Sequence, residues 1–371
     1  MEINNRDGLA KVLAFYLPQF FPNNFNNQWY GTGYTEWTNV GKAKPLFKGH
    51  NQPRVPADLG YYDLRVPEVA EQQAELARSA GVFGFAYWHY WWAGKKLLNE
   101  PGERMLATGQ PDYPFCFAWA NESWYKKLWN KDKKDDKLIM EQTYPGEEDN
   151  KAHFDYCLPF FKDKRYITFN GRPVFLIYRP LHYPDVSGFM KQWNILIKQS
   201  GVADSFYFIG MIFKNGDEDK HRAMGFDCVT PQHSLRLSTN YTNLFDHIKT
   251  SIRYRLGQKG AILRRVDYTK YAKSIWNEVV DSREDVAPQL IPCWDNTPRA
   301  GRRGEIYDNA NPDTFYTASS KLMKGIGKKE NKLVFLKSWN EWAEGNYMEP
   351  DMKYGHGFLD ALRRSIEENK C

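Results

Sequence analysis

The chain has 371 residues, a formal charge of +6, and 13 Trp, 23 Tyr and 23 Phe. The charge comes from scattered lysines and no nucleic-acid motif accompanies the basic segment 253–265, so nucleic acid is excluded as a partner and that segment reads as a solvated or membrane-surface face. No apolar run approaches the roughly 18 residues of a membrane span, the N-terminus lacks a secretory pattern, and five widely spaced cysteines without metal-ligand spacing point to a reduced, cytoplasmic compartment and to no metal.

Length alone suggests about two domains, but α/β barrels with insertions reach this size as one. In chain order, Lys11–Leu17 is a short apolar run ahead of Pro18 and reads as a buried strand. Residues 19–62 follow, rich in Asn, Gly, Pro and Trp and without helical period, a long loop of the kind that usually serves function. Val66–Ala80 has helical spacing, with Gly81 as its stop. Strands are predicted at Val82–Tyr87, Phe115–Ala120, Pro173–Tyr178, Phe206–Ile212, Cys228–Thr230, Gln289–Trp294 and Lys332–Leu336. Helices are predicted at Leu97–Ala107, Asp149–Phe161 (interrupted by Pro159), Val186–Ser200, Glu218–Met224, Tyr271–Val280, Thr314–Met323 and Phe358–Asn369. The segment 126–137 is charged and reads as an exposed loop, and 233–287 is an extended segment.

Alternation of short apolar strands with amphipathic helices implies a parallel sheet. Eight such units favour a (β/α)8 TIM barrel with long βα loops, one domain over 1–371, above an open doubly wound sheet. No Gly-rich phosphate fingerprint follows the first strand, where LPQFFPNN stands instead.

In a barrel the chemistry sits at the C-terminal strand ends. Those ends carry Tyr16 and Gln19; Tyr87, Trp88, His89 and Tyr90; Trp119, Asn121 and Glu122; Tyr178 and Arg179; Gln232 and His233; Trp294, Asp295, Asn296 and Arg299; and finally Trp339, Asn340, Glu341 and Glu344. We take Tyr16, Gln19, Tyr87, His89, Trp119, Asn121, Glu122, Tyr178, Trp294, Asn296, Trp339 and Asn340 as candidate substrate-binding residues. Their clustering favours a site over a set of unrelated half-buried polar groups. Glu122 reads either as a further acid or as a lysine's partner, and His89 either as a sugar ligand or as a structural hydrogen-bonder. Glu36 either orders the first loop or faces substrate. Asp217 and Asp219 form a DxD that reads as a charge run at a helix start.

The stretch Ser338–Gly345, SWNEWAEG, holds Glu341 and Glu344 three residues apart between Trp339 and Trp342. On a helical turn or tight loop that spacing puts both carboxylates on one face, with Cβ atoms about 5–6 Å apart. Such a pair suits protonation of a leaving oxygen and activation of a nucleophile without a cofactor. A solvated Glu pair at a helix start is the other reading.

The segments AFYLPQF, GYTEWTNV, KAKPLFKGHNQPRVPADLGYYDLR, FCFAWANESW, CWDNTPR and SWNEWAEGNYMEP together resemble glycoside hydrolase family 99-like proteins, and more closely their WbsX-type branch of bacterial surface-polysaccharide genes. The resemblance runs from about Val12 to Glu349. It implies a (β/α)8 barrel and a retaining, endo-mannosidase-like hydrolase acting on an oligosaccharide or polysaccharide. It also implies Glu341 as the base that deprotonates the sugar 2-hydroxyl, so that this oxygen closes on the anomeric carbon as an epoxide, and Glu344 as the general acid with a raised pKa. The GYTEW and PLFKGH segments resemble the WbsX branch and not the characterised endo-mannosidases. A glycosyltransferase of O-antigen, capsule or exopolysaccharide assembly is therefore the first alternative, and a non-catalytic carbohydrate-binding barrel the second.

Overall fold

The computed structural model describes residues 1–3, 8–126, 137–236 and 263–370. Its centre is a parallel sheet of β1 (Lys11–Tyr16), β2 (Val82–His89), β3 (Phe115–Trp119), β4 (Arg172–Ile177), β5 (Tyr207–Ile212), β6 (Cys228–Pro231), β7 (Gln289–Leu290) and β8 (Leu333–Leu336). The strands lie in the order β6-β5-β4-β3-β2-β1-β8-β7. The two ends of that order meet: Val229 bridges Val286 in parallel, its N–H donating to Asp285 O at 2.9 Å and its carbonyl accepting from Ala287 at 2.8 Å. This is the closed eight-stranded barrel that the alternating pattern predicts. All six residues of β1 are buried, as expected where both sheet faces are covered.

The helices follow in register: α1 (Pro67–Ser79), α2 (Glu100–Thr108), α3 (Glu147–Phe161), α4 (Val186–Gln199), α5 (Glu218–Met224), α6 (Tyr268–Lys273), α7 (Pro312–Ile326) and α8 (Gly357–Glu367). Their ends carry the expected signals. Pro67 opens α1, and Gly81 lies beyond its C-cap at φ +77°. Asn311 and Thr314 close a capping box around the start of α7.

Several boundaries differ from expectation for local reasons. β7 stops at Leu290 because Pro292 removes a ladder donor two residues on. α2 begins three residues late, since Leu98 is left-handed at φ +58°. Pro159 does not break α3: it lies two residues from the end, where one missing donor is outweighed by buried Phe154, Cys157, Phe160 and Phe161. The helix expected over Tyr271–Val280 is two short pieces, because Asn277 caps a new turn, Glu278–Asp281, through bonds from Val279 N and Val280 N.

The long loop after β1 is not devoid of helix. Asn24–Tyr30 is capped by Asn23, and Glu36–Gly41 by a Thr35/Thr38 capping box. Most of the basic segment 253–265 and part of the charged loop 126–137 lie outside the described residues. At the described end of the basic segment, Arg264 pairs with Glu305 and Arg265 with Asp308, both at 2.7 Å. Among the described residues no helix is long and apolar enough to cross a membrane.

Candidate active site

SWNEWAEG folds at the mouth of the barrel as a tight hairpin. Asn340 and Glu341 pair antiparallel with Tyr347 and Asn346, and a 3-10 turn, Trp342–Glu344, joins them. Gly345 ends the turn at φ +56°; a Cβ there would lie 2.8–2.9 Å from Asp295 atoms, so the position admits only glycine. Asp295 N donates to Glu344 O at 2.7 Å, and Trp342 stacks on Tyr347 at 3.7 Å between ring centroids. Asn340 ties the hairpin to the first strand end: its Oδ1 accepts from Leu17 N at 2.8 Å, and its Nδ2 donates to Leu17 O at 3.1 Å. Both carboxylates are thus carried on a rigid support.

Glu341 and Glu344 come close enough to share a hydrogen bond. Arg299, from the loop after β7, lies against both. Its Nη1 donates to Glu344 Oε1 at 2.6 Å, while its Nη2 stands 3.8 Å from Glu341 Oε1 and 3.0 Å from Glu36 Oε2. Glu36 reaches this point because its short helix packs on the Trp342–Glu344 turn, with Trp37 at 5.4 Å from Trp342. Burial, and then the charge of Glu344, push the Glu341 carboxyl well above the usual carboxylate range; Arg299 and Lys337 oppose them. Arg299 gives its shorter, charge-assisted contact to Glu344.

The candidate binding residues divide by strand parity. Phe15 faces the barrel interior, stacking on Trp88 at 4.8 Å and on Phe335 at 5.1 Å. Its neighbour Tyr16 therefore faces outward, donating to Gln73 Oε1 on α1 at 2.7 Å. Tyr87 packs beside Tyr16, also outward. His89 lies behind the barrel with His153 of α3, Nε2 to Nε2 at 2.7 Å. Cys157 completes a buried trio whose ligand atoms fall within 4.8 Å, but 2.7 Å between nitrogens is a hydrogen-bond distance and shorter than two ligands about 2.0 Å from a tetrahedral ion would stand apart. Burial lowers His89 to about 3 and holds His153 well below the ordinary imidazole value, so both rings are neutral. Trp119 points outward against His153, Tyr144 and Phe189.

Other candidates shape the rim. Asn121 clamps the fourth strand end, its Oδ1 accepting from Arg179 N at 2.7 Å, and Asn296 holds its own loop by accepting from Glu305 N at 2.7 Å. Gln19 is half-buried, and its carbonyl accepts from Glu36 N at 3.2 Å. Trp294 is half-buried in the loop after β7, and Trp339 is fully buried beside Phe85.

Those that face the acids are Tyr178, edge-on to Trp88 at 5.3 Å and within the field of both glutamates, and Glu122, paired with Arg179 at 3.2 Å. Trp88 and Tyr90 share that side, Tyr90 within reach of the Glu341 and Arg299 charges. Of the residues not singled out, Arg299 lies in CWDNTPR and Glu349 in NYMEP, both inside motifs that carry the resemblance. Buried Glu349 accepts from Tyr62 at 3.0 Å, Gln73 at 2.6 Å and Trp342 at 2.6 Å. Burial pushes its carboxyl up to about 7 against those donors.

A family model described as "Glycosyltransferase WbsX" matches residues 12–362. The chain belongs to the WbsX family. Among curated proteins, this WbsX-family chain is 32% identical over 360 residues to the uncharacterized protein WxcX of Xanthomonas campestris pv. campestris, covering 96% of the chain and 50% of the relative. It thus spans about half the length of the curated relatives it matches. Among solved structures it is similar to a glycoside hydrolase-like protein, with a TM-score of 0.59 and 17% identity, over 96% of this chain and 94% of that one. It is also similar to the GH99 endo-alpha-mannosidase from Bacteroides thetaiotaomicron, with a TM-score of 0.56 and 14% identity, over 96% and 97% of the two chains. At these identities the likeness is one of fold.

Proposed function

We propose that this WbsX-family barrel is a carbohydrate-active enzyme, a retaining glycoside hydrolase acting on a bacterial surface polysaccharide or its precursor, with Glu341 and Glu344 as its proton-transfer pair. The observation that carries the reading is the pair itself, held at the barrel mouth on a rigid hairpin and bridged by Arg299. Two carboxyls that share one hydrogen bond hold one proton between them most easily, because two like charges at that distance repel. One acid to protonate the leaving oxygen and one carboxylate to accept a proton is the complement that glycoside cleavage needs. With the substrate 2-hydroxyl as internal nucleophile, no glycosyl-enzyme bond is required, and the chemistry asks for no metal or cofactor.

Trp88 and Tyr178 offer apolar faces beside the pair, suited to the flat face of a sugar ring. Glu122 and Arg179 provide polar contacts farther up the wall. A cytoplasmic location belongs to this proposal, with the substrate met before export.

The test is release of new reducing ends from purified bacterial lipopolysaccharide, capsule and exopolysaccharide fractions. The wild-type chain is expected to release them, and E341Q and E344Q are not. Release by either variant at the wild-type rate contradicts the reading.

The second reading is glycosyl transfer in polysaccharide assembly, supported by the family's own description. Arg299 favours it as well, since a guanidinium at the reaction centre suits an anionic leaving group. A melting-temperature rise with nucleotide sugars, in the absence of any reducing-end release, would select transfer.

A further inference from the structure

We propose that Lys337 is a specificity-determining residue of the site: its ammonium receives an anionic group, a carboxylate or a phosphate, on the sugar held at the acid pair. The inference rests on Glu341 and Glu344 marking the reaction centre, as proposed above, and names the class of substrate that the centre takes.

Lys337 directly precedes SWNEWAEG and carries β8 beyond Leu336. Its N–H donates to Leu290 O at 2.8 Å, continuing the ladder in which Phe335 N donates to Pro288 O at 3.0 Å. Side chains two apart on a strand share a face. Phe335 faces the barrel interior against Phe15, so Lys337 points the same way, one layer nearer the mouth. Below it, the rings of Phe335, Phe15, Trp88 and Tyr178 follow one another at 5.1, 4.8 and 5.3 Å. Ahead of it stands the hairpin. Burial and the charge of Glu344 raise the Glu341 carboxyl, and Arg299 and then Lys337 oppose them. The lysine stem therefore rises from an aromatic floor toward the acid pair.

Lys337 is 9% exposed, and among the described residues its ammonium makes no hydrogen bond and no ion pair. Two other cations at the mouth are already taken, Arg299 by Glu344 at 2.6 Å and Glu36 at 3.0 Å, and Arg179 by Glu122 at 3.2 Å. Nearby acceptors are committed to backbone. Ser338 Oγ accepts from Asn340 N at 3.2 Å and Glu341 N at 3.0 Å, and Asn340 Oδ1 accepts from Leu17 N at 2.8 Å. On the neighbouring strand, Gln289 turns its amide to Thr230 Oγ1 at 3.2 Å.

An ammonium carries three donors and no acceptor, so it is satisfied only by lone pairs. A charge held out of water is costly unless it is paired and hydrogen-bonded. A neutral sugar offers it hydroxyl oxygens alone. A carboxylate or phosphate oxygen supplies the missing charge as well, in the shorter and stronger charge-assisted bond. The formal charge of +6 on the chain favours the approach of such a ligand.

The test is equilibrium titration of the intact chain at constant ionic strength, read by intrinsic tryptophan fluorescence. The probes are glucuronate, galacturonate and mannuronate, the 1-phosphates of glucose, galactose and mannose, and the neutral hexoses themselves. At least one acid is expected to bind about tenfold more tightly than its neutral parent. In K337M that advantage should vanish, whereas K337R, which keeps a charge, should retain most of it. Should K337M fail to fold, K337Q removes the charge with a polar side chain and takes its place. An advantage for uronates assigns a glycan carboxylate, and one confined to the 1-phosphates assigns a phosphate, as on a glycosyl donor. Equal binding of acids and neutral parents, including no binding of either, overturns the proposal, as does an acid preference that survives loss of the charge. No turnover enters the titration, so a failure to release reducing ends counts against the hydrolase reading alone.

Discussion

Arg299 Nη1 lies 2.6 Å from Glu344 Oε1, and through this contact a loop after the seventh strand grips the hairpin after the eighth. The guanidinium also draws in Glu36 from the first loop, so three segments far apart in sequence meet on one cation. Replacing Arg299 by Met leaves buried like charges facing one another. A loss of about 3 kcal/mol in unfolding free energy is expected, read by chemical denaturation at pH 7, and the loss should shrink at lower pH as the carboxylates protonate.

Glu349 gives a pH signature separate from catalysis. Its folded-state value of about 7 lies above the ordinary 4.5, so the protonated group favours the fold. That contribution is fully present below pH 4.5 and is lost as pH rises through about 7. E349Q cannot ionise, so its melting temperature relative to wild type should climb across this window and level off above it. A constant offset between the two proteins from pH 4.5 to pH 8 would show that Glu349 does not titrate there.

Gly345 should tolerate no side chain. Its left-handed φ and the Asp295 atoms at 2.8–2.9 Å from a built Cβ mean that alanine must displace the hairpin turn. G345A is expected to lose about 1–3 kcal/mol of stability from strain and overpacking and, by moving Glu344 off Arg299, most of its turnover. Circular dichroism melts and the reducing-end assay, run on the same preparation, separate the two effects.

Trp88 and Tyr178 form an aromatic corner on the acids' side of the barrel mouth. W88A and Y178A should each weaken substrate binding about tenfold, seen as a higher KM with a smaller change in kcat. The outward-facing Tyr87, which packs on Tyr16 and Phe115, should show the opposite pattern on substitution: lower stability and unchanged KM.

The barrel was legible in the sequence because its strands are buried on both sides and its helices carry ordinary caps, as with Gly81 after α1 and Asn311 before α7. Boundaries slipped where one residue decides, such as Pro292 at the end of β7. At the site, the position of each strand end could be read but not the face each residue takes. Alternation places Trp88 and Tyr90 on the acid side and Tyr87 and His89 on the helix side, and one step of register exchanges the sets. Arg299 and Glu349 lie in motifs already noticed. Their roles come from contacts across 45 and 276 residues of chain, to Glu344 and Gln73, which spacing along the sequence does not reveal.

The most direct test of the account is a crystal structure of E344Q with an oligosaccharide cut from the cognate surface polysaccharide. The account predicts a glycosidic oxygen within hydrogen-bonding reach of one of the two side chains at positions 341 and 344, the sugar 2-hydroxyl at the other, and a ring against Trp88 or Tyr178. A glycan bound elsewhere, with the two side chains still bonded to each other and to Arg299, would contradict it.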